Sequence, residues 1–307
     1  MTGWSGPAWG EPSNTREVPV PLRSSARAAD AGYRADGGLS GEFVVLAASV
    51  AGSAHRLAGR RDEDAYAWVQ PGPGRLALLV ADGVSAAGRG GEGADLAVDA
   101  AASFLSRPAH GWGPRECAAA LAAADEELAR AGGQAAAELA TTLVVALLSS
   151  DVGGGARATV SRVGDSTAFI LREGADWQEV FASARFNGNG AGGTGGGDIG
   201  DDDEGELSTT STDVLPSVGG LSRAGVAVVT VELAPAAALV LLTDGLANPL
   251  RDGPTTVAPA LASLLATGLS GELSPLALAH AADFSRRGAL DDRTILVAWP
   301  RPGAHAG

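Results

Sequence analysis

The chain has 307 residues, 45% of them hydrophobic, which is enough to bury one large core or two small ones. Its 36 acidic side chains outnumber 22 basic ones, all arginine; the formal charge of −14 disfavours a nucleic-acid backbone or an anionic membrane as partner and suits a basic protein or peptide. Cys117 is the only cysteine, so an intramolecular disulfide and multi-cysteine zinc or iron-sulfur sites are excluded, and its alanine-rich surroundings read as a buried helical position.

Residues 1–40 are rich in Pro, Gly, Ser and Ala without a sustained period, and read as a disordered tail. Strand patterns begin after Gly41, at 42–50, 65–69 and 75–81, with Pro71-Gly72-Pro73-Gly74 turning between the last two. Helices are expected over 93–106 and 114–131, the second carrying Leu121, Asp125 and Leu128 at helical spacing and ending at Gly132-Gly133. Strands resume over 140–149, 156–171, 177–181, 226–233 and 238–243. Helices then fit 255–267 and 274–287, and 293–299 closes as a strand. This order argues for antiparallel sheets covered by helices rather than a parallel βαβ fold.

One segment interrupts the pattern. Residues 186–206 hold nine glycines and six acidic residues, too few apolar groups to offset ordering entropy, and read as a mobile surface loop within a domain spanning 41–300; 301–307 reads as a second short tail. The acidic part of that loop lacks the spacing of an EF-hand or of nonapeptide repeats, so a solvated linker is the better reading. Residues 1–10 show no basic region followed by an apolar stretch, and no apolar run approaches the roughly 20 residues of a spanning helix. The expectation is a soluble, cytoplasmic protein without membrane or nucleic-acid partners.

The chemistry gathers where apolar runs end in aspartate: Glu63-Asp64, Asp82-Gly83 after Leu76-Ala77-Leu78-Leu79-Val80, Gly164-Asp165-Ser166, Asp244-Gly245 after Leu239-Val240-Leu241-Leu242, and Asp291-Asp292-Arg293-Thr294. A strand ending in Asp-Gly carries a carboxylate from the core to one rim. Two carboxylates about 4 Å apart repel by roughly 4 kcal/mol at an effective dielectric near 20, so such a gathering needs cations, and Mg²⁺ or Mn²⁺ are the natural occupants of an all-oxygen site.

Six ordered strings carry a family resemblance: Glu63-Asp64-Ala65-Tyr66-Ala67-Trp68, Leu79-Val80-Ala81-Asp82-Gly83, Ala140-Thr141-Thr142-Leu143-Val144-Val145-Ala146, Arg162-Val163-Gly164-Asp165-Ser166-Thr167-Ala168, Leu241-Leu242-Thr243-Asp244-Gly245-Leu246 and Asp291-Asp292-Arg293-Thr294. Over residues 43–299 the chain resembles the PPM or PP2C-type metal-dependent serine/threonine phosphatases. Gly52-Ser53-Ala54-His55, followed by Gly59, resembles a bacterial branch.

The resemblance implies an α+β, four-layer αββα sandwich, two antiparallel sheets flanked by helix pairs, with two Mg²⁺ or Mn²⁺ ions at one end and a third used variably. Asp82 would bridge both metals and the Gly83 carbonyl would bind one. Asp64 would serve the first metal, Asp244 and Asp291 the second, and Asp165 the third ion. Asp292 stands at the family's usual Asn position as a support. A water activated between the ions would hydrolyse phosphoserine or phosphothreonine without a phosphoenzyme, with Asp82 and Asp64 central to catalysis. The implied partners are a phosphorylated protein substrate and a Ser/Thr kinase system.

Departures bear on this reading. Many relatives place a phosphate-gripping arginine where this chain has Gly59. Arg60, Arg61 and Arg56 are nearby, with His55, as candidate phosphate contacts, although a one-residue shift on a strand would turn a guanidinium away. After Gly83 the chain reads Val84-Ser85-Ala86-Ala87-Gly88 in place of the usual Gly-His or Met-Gly-Gly. His110, His280 and His305 receive no role. The competing reading is a catalytically weak phosphatase-like module that binds a phosphorylated or signalling partner.

Overall fold

The computed structural model describes residues 32–107, 111–182, 213–217, 221, 226–251, 257–268, 273–284 and 290–301. The expected tail before residue 32, the loop 186–206, His110, His305 and 302–307 lie outside them. Described strands are β1 (Tyr33–Ser40), β2 (Phe43–Val50), β3 (Asp64–Gly72), β4 (Arg75–Asp82), β5 (Leu143–Ser150), β6 (Ala156–Val163), β7 (Thr167–Arg172), β8 (Asp176–Glu179), β9 (Ala227–Leu233), β10 (Ala238–Leu242) and β11 (Arg293–Pro300). The helices are α1 (Ser53–Ala58), α2 (Gly90–Leu105), α3 (Pro114–Gly132), α4 (Asp244–Arg251), α5 (Val257–Leu265) and α6 (Pro275–Ala282).

Two antiparallel sheets face each other, one ordered β1-β2-β11-β10-β7-β8 and the other β3-β4-β5-β6-β9. Helices α2 and α3 cover the five-stranded sheet, burying Ala97, Val98, Leu105, Leu121 and Leu128 against Leu79, Val145 and Leu147. Helices α4 to α6 cover the other, through Leu246, Leu261, Leu265 and Leu278 against Val240, Val297 and Trp299. Each helix is amphipathic for this reason: in α3 the fully buried Cys117, Leu121, Ala124 and Leu128 recur on one face. Pro114 starts α3, and the Glu116 carboxylate accepts from Gly113 N at 2.9 Å. Burying a leucine such as Leu121 contributes about 1.5–3 kcal/mol.

Four elements differ from expectation. Tyr33–Ser40, assigned to the tail, is a full strand paired with β2 from Tyr33↔Val50 to Ser40↔Phe43. Its glycines are accommodations as well as breakers: a Cβ on Gly37 would lie 2.5 Å from the Leu46 side chain and 2.9 Å from the Val45 carbonyl. The single strand expected over 156–171 is two strands in different sheets, so Gly164-Asp165-Ser166 is the corner between layers, with Gly164 at φ +99°. Helices α1 and α4 are additional.

Alternation of side chains fixes the chemistry at one end of the sandwich. Tyr66, Trp68, Leu78, Val80, Val144, Val160, Leu239, Leu241 and Leu296 all belong to the core between the sheets. The same parity, continued to the strand ends, brings Asp64, Asp82, Thr142, Arg162, Thr243 and Thr294 into that gap. Hydrogen bonds across the layers bear this out: Thr243 Oγ1 donates to Asp64 Oδ2 at 2.9 Å, and Thr142 Oγ1 lies 2.7 Å from Ser166 Oγ.

Candidate metal centre

Asp64 opens β3 directly opposite Asp82 at the end of β4. Asp82 is pinned through its backbone: its N–H donates to Thr142 Oγ1 at 3.1 Å, and its carbonyl accepts from Thr142 N and Thr141 Oγ1, each at 2.8 Å. That leaves the carboxylate free to face the gap. Gly83 follows, its N–H donating to the Glu63 carbonyl at 3.1 Å. A Cβ there would come within 2.3 Å of the Gly90 carbonyl carbon, so only glycine lets the start of α2 close on this strand end. Asp244 is the first residue of α4, Asp291 directly precedes Asp292 at the entry to β11, and Asp165 sits exposed at the β6–β7 corner.

These acids raise one another's proton affinity. Burial pushes the Asp82 carboxyl well above the usual range, and Asp244, Asp291, Asp165 and Asp292 push it further. Asp64 is raised by burial, then by Asp82, Asp62 and Asp292. Asp244 is pushed up to about 6 by burial, then Asp291 and Asp165, with a hydrogen bond to Asp82 opposing. Two buried oxygens, Asp64 Oδ1 on β3 and Asp244 Oδ1 just beyond β10 of the other sheet, have no hydrogen-bond partner among the described residues. An all-carboxylate set with unpartnered oxygens around Asp82 fits hard divalent cations.

A second acidic group lies on the other flank. Asp62, Asp64 and Asp292 bring carboxylate oxygens within 4.8 Å of one another. Here, however, the protein supplies its own compensation. Asp292 Oδ1 accepts from Gly52 N at 2.6 Å, and Oδ2 accepts from Glu63 N at 2.6 Å and meets His55 Nδ1 at 2.8 Å. Burial and then Asp62 still push Asp292 to about 6 against those bonds. Asp62 is paired with Arg34 at 2.9 Å, accepts from Asp64 N at 3.0 Å and from Ser49 Oγ. Asp292 therefore has the bonding of a support. Asp62 went unread in the sequence because it looks like part of the charge run Arg60-Arg61-Asp62-Glu63-Asp64; the pattern carries no signal that Arg34, on a strand assigned to the tail, would reach it.

The candidate phosphate contacts are all engaged. His55 is buried on α1, with Nδ1 on Asp292 and Nε2 3.3 Å from Ser85 Oγ. Arg56 pairs with Asp283 at 3.0 Å, Arg60 with Glu63, and Arg61 with Asp95 at 3.8 Å. Residues 59–61 form a loop after α1 rather than a strand, so strand parity does not govern where these arginines point. Gly59 is the C-cap of α1 at φ +65°, ψ 23°, a left-handed conformation that disfavours arginine at this position. Among the described residues no helix is long and apolar enough to cross a membrane.

Comparison with known proteins agrees with this geometry. The phosphatase from Mycobacterium tuberculosis named PstP/Ppp is 18% identical over 84% of this chain and 99% of its own, with a TM-score of 0.51. A phosphatase from Toxoplasma gondii is 13% identical over 88% and 95%, with a TM-score of 0.58. The catalytic domain of PstP in complex with two manganese ions is 18% identical over 84% and 97%, at 0.50. At such identities these likenesses establish the fold. Comparison with curated protein sequences gives no match. The family model described as protein phosphatase 2C matches residues 51–276, from the segment before α1 into α6, and the chain belongs to that family of serine/threonine phosphatases.

Proposed function

We propose that the chain is a metal-dependent phosphoprotein phosphatase hydrolysing phosphoserine and phosphothreonine at a binuclear Mg²⁺ or Mn²⁺ centre. The observation that carries this reading is that two buried oxygens, Asp64 Oδ1 and Asp244 Oδ1, have no hydrogen-bond partner among the described residues, while Asp244 and Asp291 act on the Asp82 carboxyl as like charges. Asp82 and the Gly83 carbonyl would be ligands; Asp64 would serve the first ion, Asp244 and Asp291 the second, and Asp165 a third. When bound, such ions supply Lewis acidity and a water acidic enough to react near neutral pH. The protein's part is to hold oxygen donors in place before substrate arrives. Thr141 and Thr142 clamp the Asp82 backbone, and Thr243 orients the Asp64 carboxylate. Preorganised charge of this kind is usually the largest single contribution to catalysis. No cysteine nucleophile is needed: Cys117 is buried in α3, its thiol pushed up to about 12 by burial.

The acidic net charge favours basic phosphoprotein segments, consistent with a role opposite a Ser/Thr kinase in the cytoplasm. One observation favours the second reading, a phosphatase-like binding module: Arg56, Arg60 and Arg61 are all paired with carboxylates. Hydrolysis of p-nitrophenyl phosphate and of a phosphothreonine peptide with Mn²⁺, Mg²⁺ or EDTA, beside Asp82→Asn, separates the two. Turnover that needs metal and Asp82 is expected. Metal binding without turnover would leave the binding module standing.

A further inference from the structure

On the side of the gap away from Arg34 and His55, Arg162 ends β6 on the same parity as Ala158 and Val160 of the inter-sheet core. It differs from the other arginines around the acidic end. Arg34, Arg56, Arg60, Arg61 and Arg251 each hold a carboxylate in an ion pair, whereas Arg162 holds none among the described residues. Its guanidinium lies over the Phe181 ring, 4.4 Å from the centroid. Its Nε is buried without a partner, and its one hydrogen bond there is a long contact of 3.5 Å from Nη1 to the Ser166 carbonyl.

The neighbouring charges leave Arg162 without a carboxylate of its own among the described residues. Glu179, the nearest carboxylate on β8, is already taken by Arg251 at 2.6 Å and by Thr167 Oγ1 at 3.0 Å. Arg251 also donates to Asn248 at 3.2 Å, and Asn248 approaches Asp244 at 3.4 Å, so this basic pair abuts the candidate metal ligands. Burial lowers the proton affinity of Arg162 and Arg251 adds to that, while Glu179 and Asp165 oppose it. A planar fork over an aromatic ring, with a buried donor unpartnered among the described residues and Arg251 as a neighbour of its own sign, is a receptor for an oxyanion.

We propose that Arg162 is a specificity-determining residue that receives an anionic group of the substrate chain, a carboxylate or a second phosphate, next to the scissile phosphoryl. The inference rests on the phosphatase reading and names the class of substrate: phosphoproteins with an acidic or doubly phosphorylated segment, held locally despite the protein's overall negative charge.

The test uses three phosphothreonine peptides that differ only in the neighbouring residue: Ala, Glu or phosphoserine. With Mn²⁺, the wild type should favour the Glu or phosphoserine peptide over the Ala peptide by about tenfold in kcat/KM, carried by KM, the low end for a charged hydrogen bond. Arg162→Met keeps the stem against Phe181 and should bring all three peptides within about twofold, leaving p-nitrophenyl phosphate unchanged. Preference for both anionic peptides identifies a general oxyanion receptor; preference for phosphoserine alone identifies a second phosphate. The inference is overturned if the wild type shows no preference, if Arg162→Met retains it, or if Arg162→Met loses as much on p-nitrophenyl phosphate. Anisotropy of the labelled peptides on the Asp82→Asn protein, with and without Arg162→Met, decides the matter even if the wild type turns nothing over. An Arg162-dependent preference sustains the inference, and equal affinities sink it.

Discussion

The acidic end of the sandwich has two halves that contain the same functional group and solve opposite problems. Around Asp292 and Asp62, the protein meets carboxylates with Arg34, His55, Ser49 and the backbone N–H groups of Gly52, Glu63 and Asp64. Around Asp82, the charges that act on its carboxyl are the like charges of Asp244, Asp291, Asp165 and Asp292. The first half is complete as folded and anchors the α1 loop to the entry of β11; the second is the half we propose to hold the metal ions. Proximity of acids alone thus does not distinguish a metal centre from a structural clamp. The donors already attached to each oxygen do.

The sharpest way to break this contrast is Asp82→Asn. It should lower turnover on the order of a thousandfold. In metal-free protein it should raise Tm slightly, because it relieves repulsion; a drop in metal-free Tm would mean that Asp82 belongs to the clamp instead. Asp292→Ala should do the reverse, taking the carboxylate away from Gly52 N, Glu63 N and His55 Nδ1. A cost of about 2–4 kcal/mol in denaturant unfolding is expected, and a loss within 0.5 kcal/mol, roughly the surface-substitution range, would refute the clamp.

Dependence on pH separates the folded and metal-loaded states. Asp244 and Asp292 sit near 6 against an ordinary value of 3.8, so the folded chain binds their protons more tightly than the unfolded chain does. Their contribution to metal-free stability is full below 3.8 and is lost as pH rises through about 6. Melting in EDTA should therefore fall across that window, and Mn²⁺ should flatten the slope by replacing the protons; a metal-free Tm rising over the same range would contradict it. The smallest effect expected is that of Gly59→Arg. Forcing arginine into the left-handed cap should cost about 1 kcal/mol without lowering KM for p-nitrophenyl phosphate. A fall in KM would show that the lost arginine had simply been deleted rather than displaced by the cap.

Much of this was legible in the sequence, for identifiable reasons. Runs such as Leu76-Ala77-Leu78-Leu79-Val80 ending in Asp82 announce a buried strand delivering a carboxylate, and the order of such runs with two helical stretches gives antiparallel layers covered by helices. Asp292 was readable as a support from its place in the motif. What composition hid was local. The glycines at 37 and 38 made β1 look like tail, although Gly37 is what allows close approach to Leu46. The six residues of α1 are too few to show a period, and with α1 unseen, Gly59 reads as a missing arginine rather than a helix cap. The pairing of Arg34 with Asp62 and the lack of an ion pair at Arg162 among the described residues depend on which strands face each other across the gap, and no local pattern encodes that.

Because each residue of the acidic end reaches the gap by counting in twos from the core, the site tolerates change in chain length very unevenly. One residue removed between Leu76 and Ala81 would turn Asp82 toward α2, and one removed between Ala158 and Ser161 would turn Arg162 the same way. The glycine- and aspartate-rich stretch at 186–206 lies between β8 and β9 and enters no such count. Divergence among relatives of this chain should accordingly accumulate as insertions in that connection, while the positions of the carboxylates stay fixed by sheet register.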